Sequence, residues 1–176
     1  MRIAAYSIDD LLDFVNIEYI APGDASHLDM PENLIDFHTS YTVFEHIPPE
    51  NIIAILKEGR RILKKNGIFV HCIDYSDHFS HSDKSISSIN FLQFSNDQWH
   101  RIAGNRYAYT NQLRHDDFLN LFLDSSSNVL VDETNFDDSL LLKITQLNLS
   151  ENFKFKPREI LAITSAWIVS EKMVVN

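Results

Sequence analysis

Glycine is scarce in this 176-residue chain: only Gly23, Gly59, Gly67 and Gly104 occur. None belongs to a G-x-G pair, and none frames a loop of oxygen ligands of the EF-hand kind. The single cysteine, Cys72, excludes an internal disulfide and fits a reducing, cytoplasmic compartment. No apolar run approaches the ~20 residues needed to cross a bilayer. No basic segment leads into an apolar one, so secretion is not indicated either. Positive charge is also short, with 15 Lys and Arg against 25 Asp and Glu, for a net charge of −10. A nucleic acid held through its phosphates calls for a basic face. The balance favours a small molecule, a glycan or a protein as partner. A hydrophobic fraction of 44% over this length fits one domain with a real core, spanning 1–176.

The richest stretch runs from Ile35 to Ile73. Ile35 to Thr39 reads as a short buried strand. Pro48 and Pro49 suit a helix start, because proline presets the backbone angle of the first turn. Apolar residues then recur at Ile52, Leu56 and Leu63, widened by Ile53 and Ile62, which gives a helix over Asn51 to Lys65. Gly59 interrupts it at a propensity cost of ~1 kcal/mol. Lys64 and Lys65 complement the helix dipole, and Gly67 is placed for a left-handed C-terminal cap. Ile68 to Ile73 follows as a second buried strand. Strand, crossover helix and strand make a right-handed parallel pair.

That stretch resembles the middle of a class I S-adenosylmethionine-dependent methyltransferase. The residues carrying the likeness are Asp36, Ser40, the run Phe44-Glu45-His46-Ile47-Pro48, and Arg61-Ile62-Leu63-Lys64-Lys65-Asn66-Gly67. Asn66 stands where the family has the first glycine of its turn, and Lys65 where it has proline. Asn90-Phe91-Leu92, Tyr109 to Arg114 and the run Leu161 to Val169 extend the resemblance over most of the chain from about Tyr19 onward. It implies an α/β fold: an incomplete Rossmann-like sheet, mostly parallel, with an antiparallel C-terminal strand. It also implies S-adenosylmethionine as cofactor and methyl transfer to a small-molecule, glycan or protein acceptor.

In such enzymes a glycine-rich loop after the first strand holds the methionine end of the cofactor. An acidic residue ending the second strand holds the ribose. Before Tyr19 this chain offers only a short helix capped by Ser7. The first two strands are therefore expected to be missing, as in an N-terminally truncated methyltransferase. The alternative is a non-catalytic remnant acting as an interaction module. Exposed sheet edges tend to pair with another chain, so a homo-oligomer or a partner chain is expected.

By the resemblance, Ile17 to Ile20 is the third strand, and Asp24 and Ala25 meet the adenine; Pro22-Gly23-Asp24 reads equally well as a plain turn. Ser40, Tyr41 and Thr42 line the methionine end, beyond the carboxyl end of a strand. His46 and His71 are the candidates for a general base toward a hydroxyl acceptor. His46 also reads as a brace for its loop, and His71 as a buried strand histidine. Asn111 and Arg114 are candidates for an anionic substrate group, with Asp116 or Asp117 as Arg114's plain surface partners. His71, Asp74, Asp77, His78, His81 and Asp83 make a polar cluster whose spacing matches no metal motif, so a hydrogen-bonded loop is expected there and no metal.

The second half reads as a helix capped by Ser95 over Asn96 to Arg101, a helix over His115 to Leu123 and a strand over Asn128 to Glu133. An irregular or helical segment beginning at Asp137 or Asp138 and a last strand over Leu161 to Val169 complete it. The aromatic-rich region from Phe79 to Arg114 is a candidate lid or substrate wall.

Overall fold

The computed structural model describes residues 7–105, 108–125 and 127–173. Helix α1 (Ile8–Phe14) opens with the expected Ser7 cap, closed by Asp10 into a capping box, and buries none of its residues. Strand β1 (Ile35–Tyr41), helix α2 (Pro49–Ile62) and strand β2 (Leu63–Asp74) form the expected unit, with β1 and β2 parallel. Helix α3 (Phe79–Ser82), a 3-10 turn (Asn90–Gln93) and helix α4 (Asn96–Ala103) follow. Helix α5 (His115–Asp124), strand β3 (Ser127–Phe136), helices α6 (Ser139–Gln146) and α7 (Arg158–Leu161) and strand β4 (Ile163–Lys172) complete the chain.

The sheet order is β1-β2-β4-β3, and both pairings of β4 are antiparallel. This is the incomplete Rossmann-like α/β arrangement. Its parallel part is narrower than expected, because Ile17 to Ile20 is not a strand. That segment lies exposed, with no extended neighbour to satisfy its backbone. The outer edge of β1 is therefore unpaired among the described residues.

The expected helix cap at Gly67 is also corrected. Helix α2 stops at Ile62, and Leu63 turns extended to bury its side chain in the sheet. The pairing then slips from Ile35 opposite Leu63 to Phe37 opposite Ile68, so Lys64, Lys65 and Asn66 bulge outward. No glycine adopts a positive φ. Gly67 is needed for space instead: a Cβ there would sit 2.7 Å from Leu63 Cδ2 and 3.1 Å from the carbonyl oxygens of Ile35 and Asp36.

Two hydrophobic clusters result. One packs α2 and α5 onto a single sheet face, joining Ile52, Leu56, Phe69, Ile73, Phe118, Phe122 and Ile168. The other joins Leu92 and Trp99 from the aromatic-rich region to Leu140, Ile144, Phe153 and Leu161. The opposite sheet face carries Phe37 at 64%, Tyr41 at 68% and Trp167 at 41% exposure.

Gly59 lets α2 lie close on the sheet, since a Cβ there would sit 2.7 Å from Phe69 Cε1 and 3.0 Å from His38 Cδ2. Gly59→Ala gains ~1 kcal/mol in helix propensity but overpacks the core at ~1–3 kcal/mol. We expect net destabilisation in urea unfolding; a gain in stability would refute the close approach.

Candidate functional site at the carboxyl ends of the parallel strands

Ligands of open α/β sheets bind beyond the carboxyl ends of the parallel strands. Here those ends are Tyr41 of β1 and Asp74 of β2, and the loops leaving them lie side by side. The first loop begins under strain: Thr42 sits at φ 50°, which for a β-branched residue costs ~1–3 kcal/mol. Its N–H donates to Cys72 O at 2.9 Å, which ties the two strand ends together. A 3-10 turn, Phe44–His46, follows.

That turn is latched from outside. The Asn111 Nδ2 donates to Phe44 O at 2.8 Å and to Ile47 O at 2.9 Å. The Asn111 N–H donates to Glu45 O at 2.7 Å. His46 pairs its Nδ1 with Tyr109 O at 2.8 Å, so that nitrogen carries the proton and the other keeps its lone pair. His46 is solvent-exposed.

Glu45 points the other way. It is only 3% exposed, and neither carboxylate oxygen has a hydrogen-bond partner. Burial pushes its carboxyl up to about 7, against the attraction of His78. Near it lie Asp74 at the end of β2 and Ser76 and His78 from the loop beyond. Burial raises the Asp74 carboxyl, but His78 and the Ser76 N–H outweigh this and hold it at about 2. Asp74 in turn raises His78 above its ordinary value, against burial. The rings of His46 and His78 meet edge to face, with centroids 4.7 Å apart.

The other anticipated residues fall as follows. Ser40 reaches Nδ1 of His71 at 2.7 Å, and His38 reaches its Nε2 at 3.3 Å. His71 is fully buried, and burial together with the neighbouring His38 pushes it down to about 3. A proton acceptor that weak is poorly matched to work near neutrality. Tyr41 is on the open sheet face, against Trp167. Asp24 accepts from the Ser26 N–H and Oγ, a self-contained turn, with Ala25 exposed inside it. Arg114 is completely buried and donates to backbone carbonyls, so it braces the fold rather than meeting solvent. Asn111 is the loop latch. Thus Ser40, Thr42, His46, His71 and Asn111 gather around one pair of strand ends; Arg114 holds the end of β2 from within the core, and the hydrogen bonds of Asp24 stay within its own turn. Glu45, part of the run that carries the family likeness, was not singled out as a site residue because only its burial makes it unusual. Beside the latch lies an open cleft of ≈ 500 Å³ lined by Pro49, Trp99, His100, Tyr109, Asn111 and Lys156, among others.

Because the folded-state value of Glu45 lies above its ordinary 4.5, its contribution is fully present below that ordinary value and is lost as pH rises through about 7. Glu45→Gln, a permanent stand-in for the protonated acid, should match the parent near pH 4.5 and exceed it at pH 8 by on the order of 1–3 kcal/mol. Chemical denaturation in EDTA-containing buffer at both pH values measures this. A difference that does not change with pH would contradict the buried, unpaired carboxylate.

Comparison with known proteins agrees with this architecture. Residues 7–71 match the family described as "Methyltransferase domain". No curated protein sequence matches the chain. Among solved structures, a SAM-dependent methyltransferase of Methanosarcina mazei is similar with a TM-score of 0.52 at 13% identity, over 87% of this chain and 66% of that one. A protein of Pyrococcus horikoshii is similar with a TM-score of 0.57 at 15% identity, over 95% of this chain and 68% of that one. The [4+2]-cyclase SpnF is similar with a TM-score of 0.55 at 13% identity, over 94% of this chain and 62% of that one. The chain therefore spans 62–68% of the length of these proteins. Sequence match and fold agree: the chain carries the methyltransferase-domain pattern over residues 7–71 on the class I S-adenosylmethionine-dependent methyltransferase fold.

Proposed function

We propose that this chain is the acceptor-side portion of an S-adenosylmethionine-dependent methyltransferase. The observation that carries the reading is the latched loop Thr42–Ile47 at the carboxyl end of β1, inside the stretch that matches the methyltransferase domain. In this reading Ser40 and Thr42 form the wall against the methionine end of the cofactor, while Tyr41, expected there too, faces the open side of the sheet. His71 is a positioning residue that holds Ser40 from beneath.

The residues present fit only part of that cofactor. The edge of β1 where a glycine-rich loop would stand is unpaired, no glycine has positive φ, and Asp24 is engaged with Ser26. No transfer step is therefore assigned to this chain by itself. A second polypeptide adding a parallel strand to β1 would supply the other wall, and covering Phe37, Tyr41 and Trp167 would favour its docking.

On the acceptor side, the cleft beside Asn111 and Tyr109 has the size of a small-molecule site. A small molecule or a glycan unit fits it better than a nucleic acid does, given the net charge of −10. His46 is tied to the cleft through Tyr109, a lining residue whose carbonyl oxygen meets its Nδ1. Its other nitrogen keeps a lone pair that can take a proton from an acceptor hydroxyl as methylation proceeds. The runner-up is a non-catalytic interaction module. The open sheet face and free β1 edge favour it, and the likeness to a cyclase illustrates that this fold does not fix one chemistry.

Titration of S-adenosylhomocysteine into the isotope-labelled chain separates the two readings. A half-built wall should give roughly millimolar affinity, with NMR shift changes confined to Ser40–His46. No change there at saturating ligand would overturn the cofactor-wall reading and leave the interaction module.

A further inference from the structure

Glu45, His46 and His78 each offer one ligand atom, and these atoms all lie within 4.8 Å of one another. They come from two different loops and are 33 residues apart in sequence at their widest (78 minus 45). Only the parallel pairing of β1 and β2 brings them together.

The electrostatics of this spot call for a cation. Both oxygens of Glu45 are buried without a hydrogen-bond partner, and so is Nε2 of His78. Nε2 of His78 comes no closer than 3.6 Å to Asp74 Oδ2, beyond hydrogen-bond length. Buried polar atoms left unpaired cost free energy, and three of them lie here, two being the carboxylate oxygens of Glu45. Among the described residues no lysine or arginine hydrogen-bonds to Glu45, and Arg114 donates to backbone carbonyls instead.

The surroundings are also those of a ligand set. The Tyr109 carbonyl fixes the tautomer and orientation of His46, as an outer-shell carbonyl does for a metal-bound imidazole. Asp74 lies beside His78 and His81, and Ser76 Oγ is 3.0 Å from His81 Nε2. The Asn111 latch holds the backbone of Glu45 and His46 in a single geometry.

We propose that Glu45, His46 and His78 form a binding site for a divalent transition-metal ion of the zinc class. Two imidazoles and one carboxylate suit zinc, iron or nickel, whereas magnesium and calcium favour oxygen ligands throughout. Three protein ligands leave a coordination position open for water or an acceptor atom. The site is independent of the methyltransferase reading. A bound ion takes the lone pair of His46, so metal occupancy and a base role for His46 exclude each other.

The test is calorimetric titration of the EDTA-treated, dialysed full chain with Zn²⁺, and separately with Mg²⁺. One Zn²⁺ per chain is expected, with far weaker response to Mg²⁺. Glu45→Gln and His78→Asn should each weaken zinc binding at least ~10-fold, while His27→Asn, at an exposed histidine elsewhere, leaves it unchanged. Thermal unfolding without metal checks that each variant is folded. Substitution with Co²⁺ should give visible absorption that Glu45→Gln removes. Stoichiometric zinc binding that survives both variants, no zinc binding by the folded parent, or Mg²⁺ binding in preference to Zn²⁺ would overturn the proposal.

Discussion

The guanidinium of Arg114 is the interaction on which the rest of the structure depends. It has no solvent exposure, and a buried charge is costly unless it is hydrogen-bonded; the two terminal nitrogens carry those bonds while Nε has no partner. Its Nη1 donates to Tyr75 O, and its Nη2 to Leu161 O and Ile163 O. The planar fork suits such a ring of carbonyls, where a lysine would meet fewer of them. Burial draws the guanidinium down to about 10, so it stays charged at neutral pH. It also lies against the rings of Tyr75 and Phe91. Tyr75 belongs to the sheet-side cluster and Phe91 to the second one, so a single side chain pins the two together.

The functional geometry follows from the same segment. Arg114 fixes the chain as it leaves β2, and three residues earlier Asn111 fixes the loop that leaves β1. One short stretch thereby sets the distance between the two loops that carry Glu45, His46, Asp74 and His78. The strained Thr42 is held in place by its own link to Cys72 and by the latch just beyond it. Rigid support of this kind lets an energetically unfavourable group, a buried unpaired carboxylate, persist at a strand end.

Much of the fold was legible in sequence. The unit from Ile35 to Ile73 announced itself through Pro48, Pro49 and the apolar spacing of α2, because local punctuation and the 3.6-residue period agree there. The helix caps at Ser7 and Ser95 were likewise visible, and Asp10 and Gln98 close them into capping boxes. The end of α2 was misplaced because Leu63 gains more by burial in the sheet than by a last helical turn, a tertiary preference that propensity does not contain. The segment Ile17 to Ile20 has strand-like residues but no partner edge, and pairing decides a strand more than composition does. For the site, Ser40, Thr42 and His46 could be placed through the family resemblance. Arg114 looked like an anion binder because a surface arginine and a buried one are indistinguishable in sequence. The meeting of Glu45 with His78 is a product of topology alone.

The four-stranded sheet holds its two strand-end loops together while the outer edge of β1 is unpaired among the described residues. Amide hydrogen exchange tests this most directly. The N–H groups of Thr42 and Asn111, bonded to Cys72 O and Glu45 O, should exchange slowly, near the rate set by global unfolding. Those of residues 18–20, in the exposed segment before β1, should exchange quickly. Equally fast exchange at all of these positions would contradict the account, since the two loops would then not be held together in the chain by itself.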